Sequence, residues 1–103
     1  EHGIDAEVPD GATVLLPERV AAIADPDAAV RAAIAAPMER RPLREMVRAG
    51  QRVSTATLRA AIVVSDVTRP VPNQVILPPI LETLEAGGVR RDDITIVVLK
   101  RTE

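Results

Sequence analysis

Apolar and polar residues alternate from Ile4 to Val8, Ile-Asp-Ala-Glu-Val, which is the period of a half-buried strand. Pro9, Asp10 and Gly11 then supply the residues of a tight bend, and Thr13 to Leu16 resumes as a second short strand. An N-terminal strand or hairpin is predicted. The pattern changes at Asp25, which is suited to cap a helix, with Pro26 at its first position and Asp27 near the positive end of its dipole. Val30, Ala33 and Ile34 fall on one face of that helix, and Pro37 ends it. A second helix is predicted after Pro42, with Leu43, Met46 and Val47 at i, i+3 and i+4 and Gly50 as its terminator.

Ala61 to Ser65 reads as a buried strand, and Val53 to Leu58 as an extended lead-in or an inserted loop. Beyond a polar loop, Ile80, Leu81 and Leu84 are expected to face the core from a helix that Gly87 and Gly88 close. Asn73 suits the cap of a short turn. Pro78 and Pro79 predict a kink or a fresh start within that helix. Ile94 to Val98 is a second buried-type strand. Strand, loop, helix, Gly-Gly turn and strand form a βαβ unit over about 61–98, and such units are right-handed and pair their strands in parallel. The fold class is therefore α/β, a small sheet with the N-terminal strand or hairpin added. At 103 residues, 1–103 reads as a single domain without internal repeats.

Composition narrows the function. There is no Phe, Tyr or Trp, so the 47% hydrophobic fraction is aliphatic and no aromatic platform for single-stranded nucleic acid exists. A formal charge of −2 signals no polyanionic partner. The cations are twelve arginines and Lys100, which suits carboxylate or phosphate clamping better than Schiff-base chemistry. Without cysteine there is no disulfide, thiolate metal site or thiol nucleophile, and the chain reads as cytoplasmic. No apolar run approaches the roughly 20 residues of a membrane span. The lone histidine, His2, beside the first residue Glu1, reads as solvated, so a histidine metal centre or triad cannot be built. The start at Glu1 rather than Met is consistent with a removed segment.

The chemistry concentrates in "VVSDVTRPVP", residues 63 to 72, where an apolar run meets an acid, a hydroxyl, an arginine and two prolines. Ligands of parallel sheets bind outside the carboxyl ends of the strands, and Asp66 to Arg69 lies at such an end. Asp66 can orient an arginine or accept from a substrate hydroxyl. Thr68 offers a hydroxyl, and Arg69 a bidentate fork for carboxylate or phosphate. The same residues also suit an ordinary strand end. No glycine-rich loop follows the strand, so the dinucleotide fingerprint is missing. Arg40, Arg41, Arg44 and Arg48 form a second candidate, although Arg40, Arg44 and Arg48 at i, i+4 and i+8 more simply make a solvated helix face. Asp92 and Asp93 read as capping and surface charge.

The stretch "VVSDVTRPVPNQVILPPILETLEAGGVRRDDITIVV", residues 63–98, resembles the N-terminal domain of the nickel-dependent lactate racemase family. That family carries Asp-x-Thr-Arg-Pro after a strand, then an Ile-Leu-Pro helix, a Gly-Val turn and Asp-Ile-Thr-Ile opening the next strand. "PLREMVRAGQRV" and "VPDGA" are similar more loosely. The resemblance implies racemisation or epimerisation of 2-hydroxy acids by hydride transfer, with histidines as acid and base. It implies a nickel-pincer nucleotide cofactor tethered to a lysine. Within it, Asp66 and Arg69 hold cofactor phosphate and substrate carboxylate, with Thr68 in support.

The chain departs from that family in three places. It reads "LKRTE" where a Gly-x-His-Arg motif is expected, so Thr102 or Glu103 stands near the catalytic histidine's place. Lys100 does not match the cofactor lysine, and the nickel-binding histidine has no counterpart. Residues 54–60, "STATLRA", exceed the family's shorter join, which leaves the strand register before Asp66 open. The chain is therefore expected to carry no catalytic residue, no metal ligand and no covalent cofactor. It is expected to be the N-terminal fragment of a larger racemase-like protein, acting with a missing C-terminal domain and a small 2-hydroxy acid. The alternative is a stand-alone, non-enzymatic domain that binds an anion or a protein. A homodimer through an exposed apolar face is a further expectation, with no nucleic acid or membrane as partner.

Overall fold

A computed structural model describes residues 3–53 and 57–100. Helix α1 (Pro26–Ala35) starts as its sequence dictates: Asp25 accepts a 3.0 Å hydrogen bond from the Ala28 N–H, and Pro26 occupies the first turn. Val30 and Ile34 are half-buried while Ala33 is exposed, so the inward face is narrower than the pattern suggests. Helix α2 (Leu43–Val53) continues three residues past Gly50. Gly50 lacks the left-handed conformation of a helix stop and instead leaves room for the Leu58 side chain, 3.3 Å from where a Cβ would lie.

Strands β1 (Ala60–Ser65) and β2 (Ile94–Leu99) pair in parallel, with Ala60 opposite Ile94 and Ser65 opposite Leu99. This settles the register in front of Asp66. Residues 54–56 of the STATLRA stretch lie outside the described residues. Helix α3 (Asn73–Ala86) connects the strands and runs through Pro78 and Pro79 without a fresh start. The two prolines withdraw the N–H groups that Gln74 and Val75 would accept from, but Pro79 is fully buried and packing holds the turn. Gly88, at φ +98°, reverses the chain, and a 3₁₀ turn (Arg91–Asp93) leads into β2.

The core is Val47, Leu84 and Val89, with Leu43, Leu58, Ala60, Ile62, Ile80 and Ile94 packed around it. One face of the sheet meets the helices. Val63, Val97 and Leu99 stay exposed on the other, although parallel sheets are generally covered on both faces.

The expected N-terminal strands do not form. The bend does: Gly11 takes φ +84° and the Ala12 N–H donates to the Pro9 carbonyl at 3.1 Å. Residues 3–24 otherwise make no helix or strand, and all are exposed. A lone two-stranded hairpin is marginal in water, and the body offers these residues no packed partner. They extend as an arm that brings the radius of gyration to 20.6 Å, against about 13 Å for a compact chain of 100 residues.

Candidate functional site

Because β1 and β2 are parallel and in register, their carboxyl ends coincide at Ser65 and Leu99. The Asp66 N–H donates to the Leu99 carbonyl at 3.2 Å, which ties the loop's entrance to the neighbouring strand. The Asp66 side chain then turns forward, its Oδ1 accepting from the Thr68 N–H at 3.1 Å and from the Thr68 hydroxyl. The Arg69 N–H closes the turn on the Asp66 carbonyl at 3.1 Å. Pro70 and Pro72 stiffen the exit. The Pro72 carbonyl accepts from Val75 and Ile76 and so starts α3.

This loop and the first turn of α3 border an open cleft of about 440 Å³, lined among others by Ser65, Asp66, Arg69, Asn73, Gln74 and Val98. Asp66 is half-buried, whereas Thr68 and Arg69 are exposed. The structure thus brings Asp66 and Arg69 to one cleft and sets Thr68 behind Asp66 as its anchor. Among the described residues Arg69 has no acidic partner within ion-pair distance, and Asp66 Oδ2 accepts no hydrogen bond. A guanidinium without an acidic partner among the described residues, sharing a cleft with two amide side chains, can clamp a carboxylate or a phosphate.

Asn73 and Gln74 were not legible as lining residues. Asn73 read only as a cap, yet it is the first residue of α3, whose cap position is taken by Pro72 without a side-chain hydrogen bond. The usable signal was position, since the crevice outside a parallel strand faces the next helix's first turn.

A second cleft of about 430 Å³ opens between the helices, lined by Arg31, Ile34, Pro42, Arg44, Glu45 and Thr83 among others. Its Arg31 is already committed, to Asp27 at 2.6 Å and Glu82 at 2.7 Å, which raises its pKa well above the ordinary value, Glu82 acting most strongly. Arg40 and Arg41 precede α2, so the helical row is Arg44, Arg48 and Arg52, all exposed. Asp92 and Asp93 lie at the opposite end of β2 from the loop, 3.8 and 3.9 Å from Arg90. One Asp93 oxygen, Oδ2, is buried without a hydrogen bond. Beside them Arg91 donates to Glu85 at 2.7 Å, holding the Glu85 carboxyl below its ordinary range and raising Arg91.

Among the described residues no three His, Cys, Asp or Glu side chains come together to hold a metal ion. His2, Thr102 and Glu103 lie outside the described residues. No helix among the described residues is long and apolar enough to cross a membrane. A comparison with curated proteins finds no match. The family model of the lactate racemase N-terminal domain matches residues 1–100, and the chain belongs to that family.

Proposed function

We propose that the Asp66–Arg69 loop is the substrate- and cofactor-contacting part of a nickel-dependent racemase or epimerase of 2-hydroxy acids, within a longer parent that supplies the histidines and the cofactor lysine. The observation that carries this reading is Arg69: a guanidinium without an acidic partner among the described residues, in a cleft at the joint carboxyl ends of two parallel strands. Its fork takes the carboxylate of a hydroxy acid or a phosphate. Asp66, held through Oδ1 by Thr68, keeps Oδ2 for a ligand hydroxyl or for Arg69 itself.

The nickel-pincer nucleotide fits this loop in part. Arg69, with the Asn73 and Gln74 amides beside it, is chemically suited to the cofactor's phosphate. The residues lining the cleft include no thiolate, imidazole or lysine amine, so on this reading the metal and the tethering lysine come from elsewhere in the parent. When bound, the cofactor supplies the hydride acceptor that the family's chemistry uses. The residues of this chain bind and orient. Alone, the chain is inactive as a racemase.

The test is thermal protection of the 103-residue chain by phosphate and by lactate. Both are expected to raise its melting midpoint. Arg69→Ala is expected to weaken binding about tenfold, the low end for a charge-assisted hydrogen bond at an exposed position, and Arg69→Lys to restore part of it. No protection by either anion, or equal protection of Arg69→Ala, overturns the proposal. Protection by phosphate but not by lactate keeps the phosphate contact and removes the substrate carboxylate from Arg69.

A further inference from the structure

Two features of this molecule are unused by the strand-end loop. The first is the arm, residues 3–24, with Ile4 96% and Leu15 89% exposed and no contact that buries any of it. From Ile4 to Val8 the arm alternates, so in an extended conformation Ile4, Ala6 and Val8 share one side and Asp5 and Glu7 the other. The second is an apolar groove of about 230 Å³ where the helices meet, floored by Ile34, Pro37, Leu43 and Met46, with Arg40 and Arg41 at its margin.

The charges of the two are complementary. Residues 3–24 hold four acidic side chains against Arg19, a net of −3. Residues 25–100 hold eleven basic side chains against nine acidic ones, a net of +2. The chain's small total charge therefore hides an acidic, apolar arm and a basic body. In this structure the arm does not cover the groove of its own chain: every residue of it is exposed and the long dimension reaches 71 Å.

We propose that the arm of one copy docks in the groove of a second copy, and reciprocally. Ile4 and Val8 lie on the apolar floor, and Asp5 and Glu7 face Arg40 and Arg41. The arrangement covers apolar surface on both sides of the contact and pairs the charges that each copy leaves separate. It also gives the Arg40–Arg41 pair, which α2 leaves outside its own helical row, a partner.

The test is the solution mass of the 103-residue chain by light scattering across a dilution series. The expected mass is near twice 11.0 kDa, falling towards 11.0 kDa on dilution and in high salt. The doubly reversed Arg40→Glu/Arg41→Glu variant is expected to be monomeric, and adding Asp5→Arg/Glu7→Arg to it to restore the dimer. Ile4→Ser/Val8→Ser, which alters only the exposed arm and cannot unfold the body, is also expected to be monomeric. A mass of 11.0 kDa at every concentration overturns the proposal, including the case of an arm folded into its own groove. A dimer that withstands both the arm and the arginine substitutions overturns it equally.

Discussion

Thr68 gives both its backbone N–H and its hydroxyl to a single carboxylate oxygen, Oδ1 of Asp66. Thr68 thus fixes the carboxylate that borders the cleft without lining the cleft itself, and on the proposed function it acts as a positioning residue. Thr68→Val keeps the shape and the N–H but removes the hydroxyl donor. Stability is expected to change by less than about 0.5 kcal/mol, because the site is exposed. Protection by lactate or phosphate is expected to fall severalfold, and Thr68→Ser to recover it. Equal ligand protection in all three proteins would remove Thr68 from the binding role.

The polar loop at the end of β1 was legible because its turn depends on local sequence. Asp66, Thr68 and Arg69 are close in sequence, and the turn that joins them is written in their own hydrogen bonds. The βαβ unit was legible for a similar reason, since two aliphatic runs flank one helix and one glycine turn. Three features were not. The arm alternates like a strand, but a strand needs a partner, and alternation carries no information about whether one is present. Gly50 read as a stop because glycine commonly is one, whereas here its lack of a side chain serves Leu58, several residues away in sequence. Pro78 and Pro79 read as a kink or a fresh start, and only the burial of Pro79 against the rest of the fold shows why one helix runs through them. Each of these was decided by tertiary contact.

Gly87 abuts Val47, and this contact sets how closely α3's end approaches α2. A Cβ at Gly87 would lie 3.0 Å from Val47 Cβ and overlap Val47 Cγ1, with the Leu84 carbonyl 3.3 Å away. Gly87 is at φ −79°, so alanine would not be strained by its backbone conformation. Gly87→Ala is thus expected to destabilise by overpacking alone, about 1–3 kcal/mol by chemical denaturation. Val47→Ala removes the overlapping methyls, so the double variant is expected to lose less than the sum of the two single losses. Strict additivity would show that the two residues do not meet.

Arg31 joins α1 to α3 through Glu82, a contact spanning 51 residues of sequence, and also pairs with Asp27 on its own helix. All three side chains are about half exposed, so the network's effect is modest and screened by salt. Glu82→Gln is expected to lower the melting midpoint in dilute buffer, with the difference from the parent shrinking at 1 M salt. A difference that is independent of salt would assign the loss to packing and not to the ion pair.

Arg91 and Glu85 provide the pH dependence. The Arg91 hydrogen bond, opposed by partial desolvation, holds the Glu85 carboxyl below its ordinary value in the folded chain. Unfolding releases that carboxyl to the ordinary range of about 4. A carboxylate depressed by folding stabilises the fold above its unfolded pKa, and that contribution disappears as pH falls through the folded one. The parent is therefore expected to melt above Glu85→Gln at neutral pH, and the two curves to converge as the pH is lowered below about 4. Arginine stays charged throughout, so the convergence reports the glutamate. Arg91→Gln should abolish the same pH-dependent increment, because it removes the donor that depresses Glu85. Melting curves of the three proteins between neutral and acid pH decide it: a gap between parent and Glu85→Gln that stays constant through the acid range would mean that Glu85 titrates alike in the folded and unfolded chain.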